Sequence, residues 1–247
     1  MDPLPEIQDM ETAMRVQSEF LFHLSKETTD YVGFKAALTT QKAQRQFSMT
    51  SPVRGRLLRS MLLEHDSTVS VASGARLMIE ADLLVRVNSG LINSAESMTE
   101  AVNYIDAVIP FLEVPDLLYR EGSVLSGPDL VAINTGARYG VMGTPVKIQE
   151  STLWISKLAD IKVTLHDAFG QELAVGYGRD LMTHPLKALL WVRDSLKADG
   201  DRLRHGDLVS LGSMTRMIPA VPQTTITATY EKLDSSGPID VTVHLVE

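Results

Sequence analysis

"LMIEADLLVRV", residues 77–87, is the stretch whose reading decides the fold. Leu77, Ile79, Ala81, Leu83, Val85 and Val87 share one parity and are all apolar, whereas Glu80, Asp82 and Arg86 share the other with Met78 and Leu84. A strand sends alternate side chains to opposite faces. One face of this strand is therefore core, and the other carries Glu80 and Asp82 side by side, about 7 Å apart.

Working downstream, "SAESMTEAVNYIDAVIPFLEV" predicts a helix opened by a Ser97–Glu100 capping box, with Ala101, Tyr104, Ile105 and Val108 as its buried stripe. A third acid, Glu113, follows in the apolar run "VIPFLEVPDLLY". Strand, helix, strand is a unit whose two strands can lie side by side in one sheet, so Glu80, Asp82 and Glu113 can converge. Two arrangements satisfy the pattern. In one, Glu80 and Asp82 face water from an edge strand and Glu113 sits at a helix end or in a loop. In the other the three carboxylates share one apolar setting, where they repel and lose hydration. A hard divalent cation offsets both costs, and an all-oxygen set with no Cys and no His pair favours Mg2+ or Mn2+ over Zn2+.

Upstream, Met14, Val16, Phe20, Leu21 and Leu24 predict an amphipathic helix over residues 8–27. "DYVGFKAALTT" at 30–40 reads as β, and 41–68 as a short helix plus loop. Beyond residue 125 the predicted strands are "DLVAIN", "YGVMG", "TLWISKLADIKVTLHDAF", "ELAVGYG", "DLVSLGSM", "TTITATYEKL" and "IDVTVHLVE". One helix interrupts them, "HPLKALLWVRDSLKADG", with Pro185 early and Gly200 after its end. The expected class is α+β: an N-terminal helical arm, residues 1–30, and one domain over 31–247.

Composition narrows the partners. The chain has 247 residues, 44% hydrophobic and 22% charged, enough for a real core. A net charge of -8 speaks against nucleic acid as a partner, and no apolar run reaches the roughly 18 residues of a membrane span. The absence of Cys excludes disulfides, thiolate metal sites and Cys nucleophiles. The acidic "MDPLPEIQDMETAMRVQ" has no signal-peptide pattern, so a cytoplasmic location is expected, or a periplasmic one for a product whose leader has been removed. Glycine-rich phosphate loops and Gly-x-Ser-x-Gly elbows are missing.

Five segments occur in a telling order: "VGFKAALTTQKAQRQF", "IEADLLVRV", "AVIPFLEVPD", "DLVAINTGARYGVMG" and "HPLKALLWVRDSLKADGDRLRHGDLVSLGSMTRMIPA". Together they resemble the 2-oxopent-4-enoate hydratases and 4-oxalocrotonate decarboxylases of the fumarylacetoacetate hydrolase superfamily. The likeness runs from about residue 11 to the end of the chain and is most specific over 184–220. It implies a mixed β-roll flanked by helices, a homo-oligomer, and a small 2-oxo acid as the molecule bound. It also implies Mg2+ or Mn2+ held by Glu80, Asp82 (in place of the more usual Glu) and Glu113. The implied activity is that of a lyase: hydration of a short 2-hydroxydienoic acid such as 2-hydroxypenta-2,4-dienoate through a metal-stabilised enolate. Decarboxylation of a 4-oxalocrotonate-type acid, hydrolysis of an acylpyruvate, and non-catalytic capture of metal and oxo-acid are the alternatives.

Lys35 matches the family's lysine. Among Val32, Phe34, Ala36 and Ala37 it is either a buried ammonium needing an anion, which we expect to be the substrate carboxylate, or a surface lysine with its stem on apolar neighbours. The resemblance further implies that Asn134 binds substrate or orients a water, and that Ser213 and Thr215 lie near the substrate carboxylate; turn capping is the other role open to the two hydroxyls. His184 opens a helix and is expected to be structural. Three departures stand against the likeness. "SPVRG" puts Val53 where the family has an acid thought to pair with the lysine, "AINTG" puts Ile133 and Gly136 where it has an acid and a hydroxyl, and the N-terminal region is shorter by some two dozen residues. His65 and Asp66 are the nearest candidates to stand in for the acid missing at 53.

Overall fold

The computed structural model describes residues 1–25, 30–149 and 151–247. In chain order the elements are α1 (Met10–Ser25), β1 (Tyr31–Ala37), α2 (Gln41–Gln46), β2 (Val53–Leu58), β3 (Leu62–Glu64), β4 (Ser67–Ser70), β5 (Met78–Val87), α3 (Met98–Ala101), β6 (Ile105–Val114) and α4 (Gly127–Ala132). They continue with β7 (Tyr139–Met142), β8 (Val146–Lys147), α5 (Ser151–Asp160), β9 (Lys162–Asp167), β10 (Glu172–Tyr177), α6 (Pro185–Ala198), β11 (Leu208–Ser210), β12 (Ile218–Pro219), β13 (Thr224–Asp234) and β14 (Gly237–Val246). No helix among the described residues is long and apolar enough to cross a membrane.

The larger, mixed sheet runs β2-β1-β11-β5-β6-β7-β3, with β12 added beside β5 and β8 beside β6. Strands β2 and β3 close its two ends, yet only Arg59–Met61 separate them in sequence. Three residues reach no more than about 11 Å, so the sheet must curl until its ends meet. A second sheet, β10-β9-β13-β14-β4, packs on its outer face. The main core lies between: Ile79, Ala81, Leu83 and Val85 from β5 meet Val163, Leu165, Ala228, Tyr230 and Val241 from the second sheet, together with Leu186, Leu189 and Val192 of α6. That is the apolar parity of residues 77–87, and it leaves Glu80, Asp82 and Leu84 facing the inside of the curl.

Helix α6 has His184 as its cap, whose Nδ1 accepts the Leu186 N–H, and whose Nε2 lies 2.7 Å from the Ile155 carbonyl. The structural reading of His184 holds. Helix α1 buries Ala13, Gln17 and Leu21 against α4 and β2, and Gln17 Nε2 donates to the Val131 and Arg54 carbonyls; residues 26 and 27 of the expected helix lie outside the described residues.

Several local expectations fail. Residues 41–68 contain β2, β3 and the first half of β4 after the short α2. The helix expected after residue 94 is a single turn, α3, and its Ser97 Oγ does accept the Glu100 N–H, but Ile105 and Val108 already belong to β6. β-Branched Val and Ile with a Pro make a poor helix and a good strand. Pro110 is tolerated in β6 because β7 ends its pairing at Phe111 and β8 resumes at Val108, so no ladder bond is lost there. "DLVAIN" is α4 and a turn, and "TLWISKLAD" is α5, whose Trp154 and Leu158 bury one helical face.

Candidate active site

The three acids meet on two neighbouring antiparallel strands. Glu80 of β5 stands directly opposite Glu113 of β6, and Asp82 opposite Phe111. Glu80, Asp82 and Glu113 are all buried, Asp82 completely. Water does not wet this face, which removes the edge-strand reading.

A cation comes from the other side. Lys35 of β1 pairs in register with Ser210 of β11, which itself pairs with Leu84, so β11 carries Lys35 to the acids. Its Nζ lies 2.8 Å from Glu113 Oε2 and 3.6 Å from Glu80 Oε1. Within the chain its anionic partners are Glu113 and Glu80. Burial pulls the ammonium down, but Glu113 and Glu80 outweigh it and keep Lys35 above its ordinary value. The 2.8 Å approach makes Lys35 the partner of Glu113 Oε2.

Asp82 is held by Ser210 Oγ and by the N–H groups of Leu83 and Gly212, the last at 3.1 Å. Ser210 Oγ also lies 3.4 Å from Glu113 Oε1. Tyr230 Oη fixes the same level of the sheet, 2.8 Å from the Asp82 carbonyl and 2.7 Å from that of Phe111. Burial, then Glu113, pushes the Asp82 carboxyl well above the usual carboxylate range. Burial raises Glu80 to about 7, against the opposing pull of Lys35.

Among the described residues no set of three or more His, Asp or Glu side chains presents its donors as a ready metal cage. The acids are gathered, but Glu80 and Glu113 turn to Lys35 and Asp82 to Ser210. Their chemistry still fits a divalent cation. The donors are all oxygens on three buried side chains, and three ionised carboxylates against one ammonium leave two negative charges in excess.

Other expected residues are placed differently. The Asn134 amide is spent on β2, accepting the Arg56 N–H at 2.7 Å and donating to the Arg56 carbonyl at 2.9 Å. Thr215 Oγ1 accepts the Ala81 N–H, and Ser213 Oγ donates to the Thr215 carbonyl, so both hydroxyls brace the turn that joins β11 to β12 and runs beside β5. Of the two, Ser213 lies near enough to Glu80 to favour its ionised form. Val53 and Ile133 pack together with Leu38, Leu130 and Val131 in a dry cluster. His65 and Asp66 do not replace the missing acid: His65 Nδ1 accepts the Thr242 N–H and Asp66 pairs with His244, both beside β14.

A cavity of about 10 Å³, room for one water, touches Lys35 and Glu113 under Phe111. A larger cavity, about 670 Å³, opens at the other end of the curl beside Arg86, Ile109 and His205. Leu57, Leu84 and Phe111 plug the lumen between the two.

Among the functional neighbours, Ser210, Gly212 and Tyr230 escaped the sequence. Their partners lie on strands distant along the chain, and only the alternation of "DLVSLGS" hints that Ser210 faces inward.

No family model matches the chain. It is 27% identical over 205 residues to a 2-keto-4-pentenoate hydratase of Paraburkholderia phymatum, covering 83% of this chain and 76% of that protein. It is also 27% identical over 240 residues to a 2-oxo-hept-4-ene-1,7-dioate hydratase of Escherichia coli, covering 94% and 86%. The solved 4-oxalocrotonate decarboxylase from Pseudomonas putida G7, complexed with magnesium and adipate, superposes with a TM-score of 0.83 at 22% identity, over 96% of this chain and 86% of that one. In sequence, then, the chain is similar over most of its length to the 2-keto-4-pentenoate hydratases and their relatives, and it has the fold of a 4-oxalocrotonate decarboxylase.

Proposed function

We propose that this protein is a divalent-metal-dependent lyase that hydrates a short 2-hydroxydienoic or 2-oxo-enoic acid, with Glu80, Asp82 and Glu113 as the residues that hold Mg2+ or Mn2+. One observation carries the reading: three buried carboxylates on adjacent strands, balanced by a single ammonium. Such an arrangement is costly for the protein alone and is resolved by a cation. The relatives' names supply the substrate class, and the magnesium found with the 4-oxalocrotonate decarboxylase fits the donor set here.

When bound, the cation supplies a Lewis acid for charge developing on a substrate oxygen. The rest falls to the chain. Lys35 stays an ammonium and, with Glu80 and Glu113 committed to the cation, keeps its three donors for the substrate carboxylate. Ser210 and the Gly212 N–H hold Asp82 in one orientation. Phe111, Leu57 and Met61 keep bulk water out of the cavity beside Lys35. With the carboxylates given to the cation, Lys35 is the buried group in contact with that cavity left to hold a proton at the substrate, since Val53 and Ile133 are apolar.

Decarboxylation is the second reading. It is favoured by those same apolar positions, because loss of CO2 asks for fewer proton transfers than ketonisation followed by addition of water. To test both, the protein with Mg2+ or Mn2+ is mixed with 2-hydroxypenta-2,4-dienoate, with a 4-oxalocrotonate-type diacid and with an acylpyruvate, and ultraviolet absorbance is followed. Metal-dependent loss of the dienoate is the expected result. Turnover of none, with metal-dependent oxalate binding, would replace the enzyme by a binding protein.

A further inference from the structure

The second sheet sends one polar group into the sheet that carries the acids. On β13 the inner face holds Ile226, Ala228 and Tyr230, all buried, while Thr225, Thr227, Thr229 and Glu231 take the outer face. Pairing of β13 with β14 shifts register after Tyr230, and Lys232 takes a φ of 65°. Such bulges bend a strand and re-aim its side chains. Tyr230 is fully buried, so its hydroxyl has to find partners inside the protein.

Those partners are backbone groups of two strands at once. Along β5 the odd-numbered residues turn their carbonyls away from β6: those of Leu77, Ala81 and Leu83 accept the Ala220, Met214 and Leu211 N–H groups at 3.0, 2.8 and 3.0 Å. The even-numbered residues therefore face β6, and Asp82 and Phe111 form a hydrogen-bonding pair across the two strands. Tyr230 Oη lies at that rung, 2.8 Å from the Asp82 carbonyl, 2.7 Å from the Phe111 carbonyl and 3.2 Å from the Phe111 nitrogen. A phenol has one proton to give and lone pairs to receive, so it donates to a carbonyl while accepting the Phe111 N–H.

The hydroxyl thus ties β5 to β6 from behind, on the face opposite the carboxylates. Asp82 is itself one of the tied residues. Glu113 lies two residues from the other, Phe111, and points to the same side. Strand spacing at this rung sets how far apart the Asp82 and Glu113 oxygens stand. Mg2+ demands oxygens at about 2.0–2.1 Å in a near-octahedral array, whereas Ca2+ accepts about 2.3–2.6 Å in a flexible one. A frame held from behind suits the smaller and more demanding ion.

Resting on the cation site of the proposed function, we infer that Tyr230 is a positioning residue for that site: its hydroxyl gauges the β5–β6 spacing and so sets the preference for Mg2+ over Ca2+. It touches neither the ion nor a substrate, and acts through the backbone of Asp82 and Phe111.

The test is calorimetry of the metal-free protein with MgCl2 and with CaCl2, for wild type and Tyr230→Phe. The variant keeps the ring and removes the strut. It is expected to bind Mg2+ about tenfold more weakly, the loss typical of a contact that orients a ligand, with Ca2+ affinity nearly unchanged. Thr229→Val removes a hydroxyl from the outer face of the same strand, one bonded to Asp240, and should leave both affinities alone. Equal losses for the two ions in Tyr230→Phe, or none, overturn the inference. Should Tyr230→Phe fail to fold, wild type decides by nuclear magnetic resonance: the Phe111 amide signal should shift between the Mg2+ and Ca2+ forms, and the same position in both refutes the strut. If wild type binds neither ion, the inference falls together with the function proposed for the site, whereas an unaltered Mg2+ to Ca2+ ratio sinks the inference alone.

Discussion

Glu80→Gln in the metal-free protein isolates the cost of gathering three acids. Glutamine has the shape of the protonated carboxyl, so the substitution fixes Glu80 in its neutral form. Burial raises that carboxyl from 4.5 to about 7. At pH 8 ionised Glu80 therefore costs the native state about 3 kcal/mol relative to the unfolded chain, at 1.36 kcal/mol per pH unit. The sign follows from proton binding: between pH 4.5 and 7 the native state holds the proton more tightly than the unfolded one, so stability falls as pH rises through that window and stays low above it. Glu80→Gln is expected to lose that decline and to be more stable than wild type at pH 8 in EDTA, by roughly 5–10 °C in Tm for a chain of this size. Added Mg2+ should close most of the gap at a hundred times its Kd, where wild type gains about 2.7 kcal/mol, and reverse the order at a thousand times, where it gains about 4.1 kcal/mol, leaving Glu80→Gln nearly unmoved. Melting followed by circular dichroism from pH 5 to 8, with EDTA and with Mg2+, reads all of this. A variant less stable than wild type at pH 8 in EDTA would show that Glu80 is well compensated as it stands, and the reasoning from charge excess would fail.

Lys35→Met leaves Glu80 and Glu113 without their ammonium and is expected to destabilise the metal-free protein by about 3–5 kcal/mol at pH 8, measured by urea unfolding. A change under 1 kcal/mol would remove Lys35 as the counter-charge. Ser210→Ala frees the Asp82 carboxylate and is expected to weaken Mg2+ binding about 10-fold or more in a titration, as loss of a ligand-orienting contact does; unaltered affinity would place Asp82 outside the cation's shell. Asn134→Ala should cost about 2 kcal/mol by breaking both bonds to Arg56, with KM unchanged. A raised KM in an equally folded variant would return Asn134 to the substrate.

The acid cluster was legible because strand parity is local: Glu80 and Asp82 announce their shared face within three residues. Glu113 depends on which strands pair, and its strand neighbour is as expected although the connection is one α-helical turn between two 3-10 segments in place of a full helix. Lys35 could be read as buried, but not as paired. Its counter-ions arrive through β11, which is contributed by residues 208–210 from the far end of the chain. The helix α5 was misread because "TLWISKLADIKVTLHD" carries strand formers throughout, and only Trp154 and Leu158 on one face separate its first half from its second. "DLVAIN" failed for a related reason: the Ser126–Asp129 capping box and Pro128 lie just upstream of the residues that read as a strand or within their first few.

Val53 and Ile133 acquire a physical meaning from the fold. Val53 shares the parity of Gly55, and Gly55 stands directly opposite Lys35, so position 53 lies diagonal to the lysine on the same face. An acid at 53 could reach toward Lys35. Here that volume is filled by Val53 packed on Ile133, Leu38 and Leu130, the same apolar cluster that seats α1 through Ala13. A lone carboxylate in such a setting costs several kcal/mol unless Lys35 turns to it, and Lys35 is already committed to Glu113 and Glu80. The two halves of the site therefore rest on different parts of the molecule. The carboxylates depend on the β5–β6 pairing and on Ser210, while the positions that would relay a proton have become core for the N-terminal helix. With Val53 and Ile133 apolar, proton transfer on this face is left to Lys35, to the buried carboxyls and to water beside them.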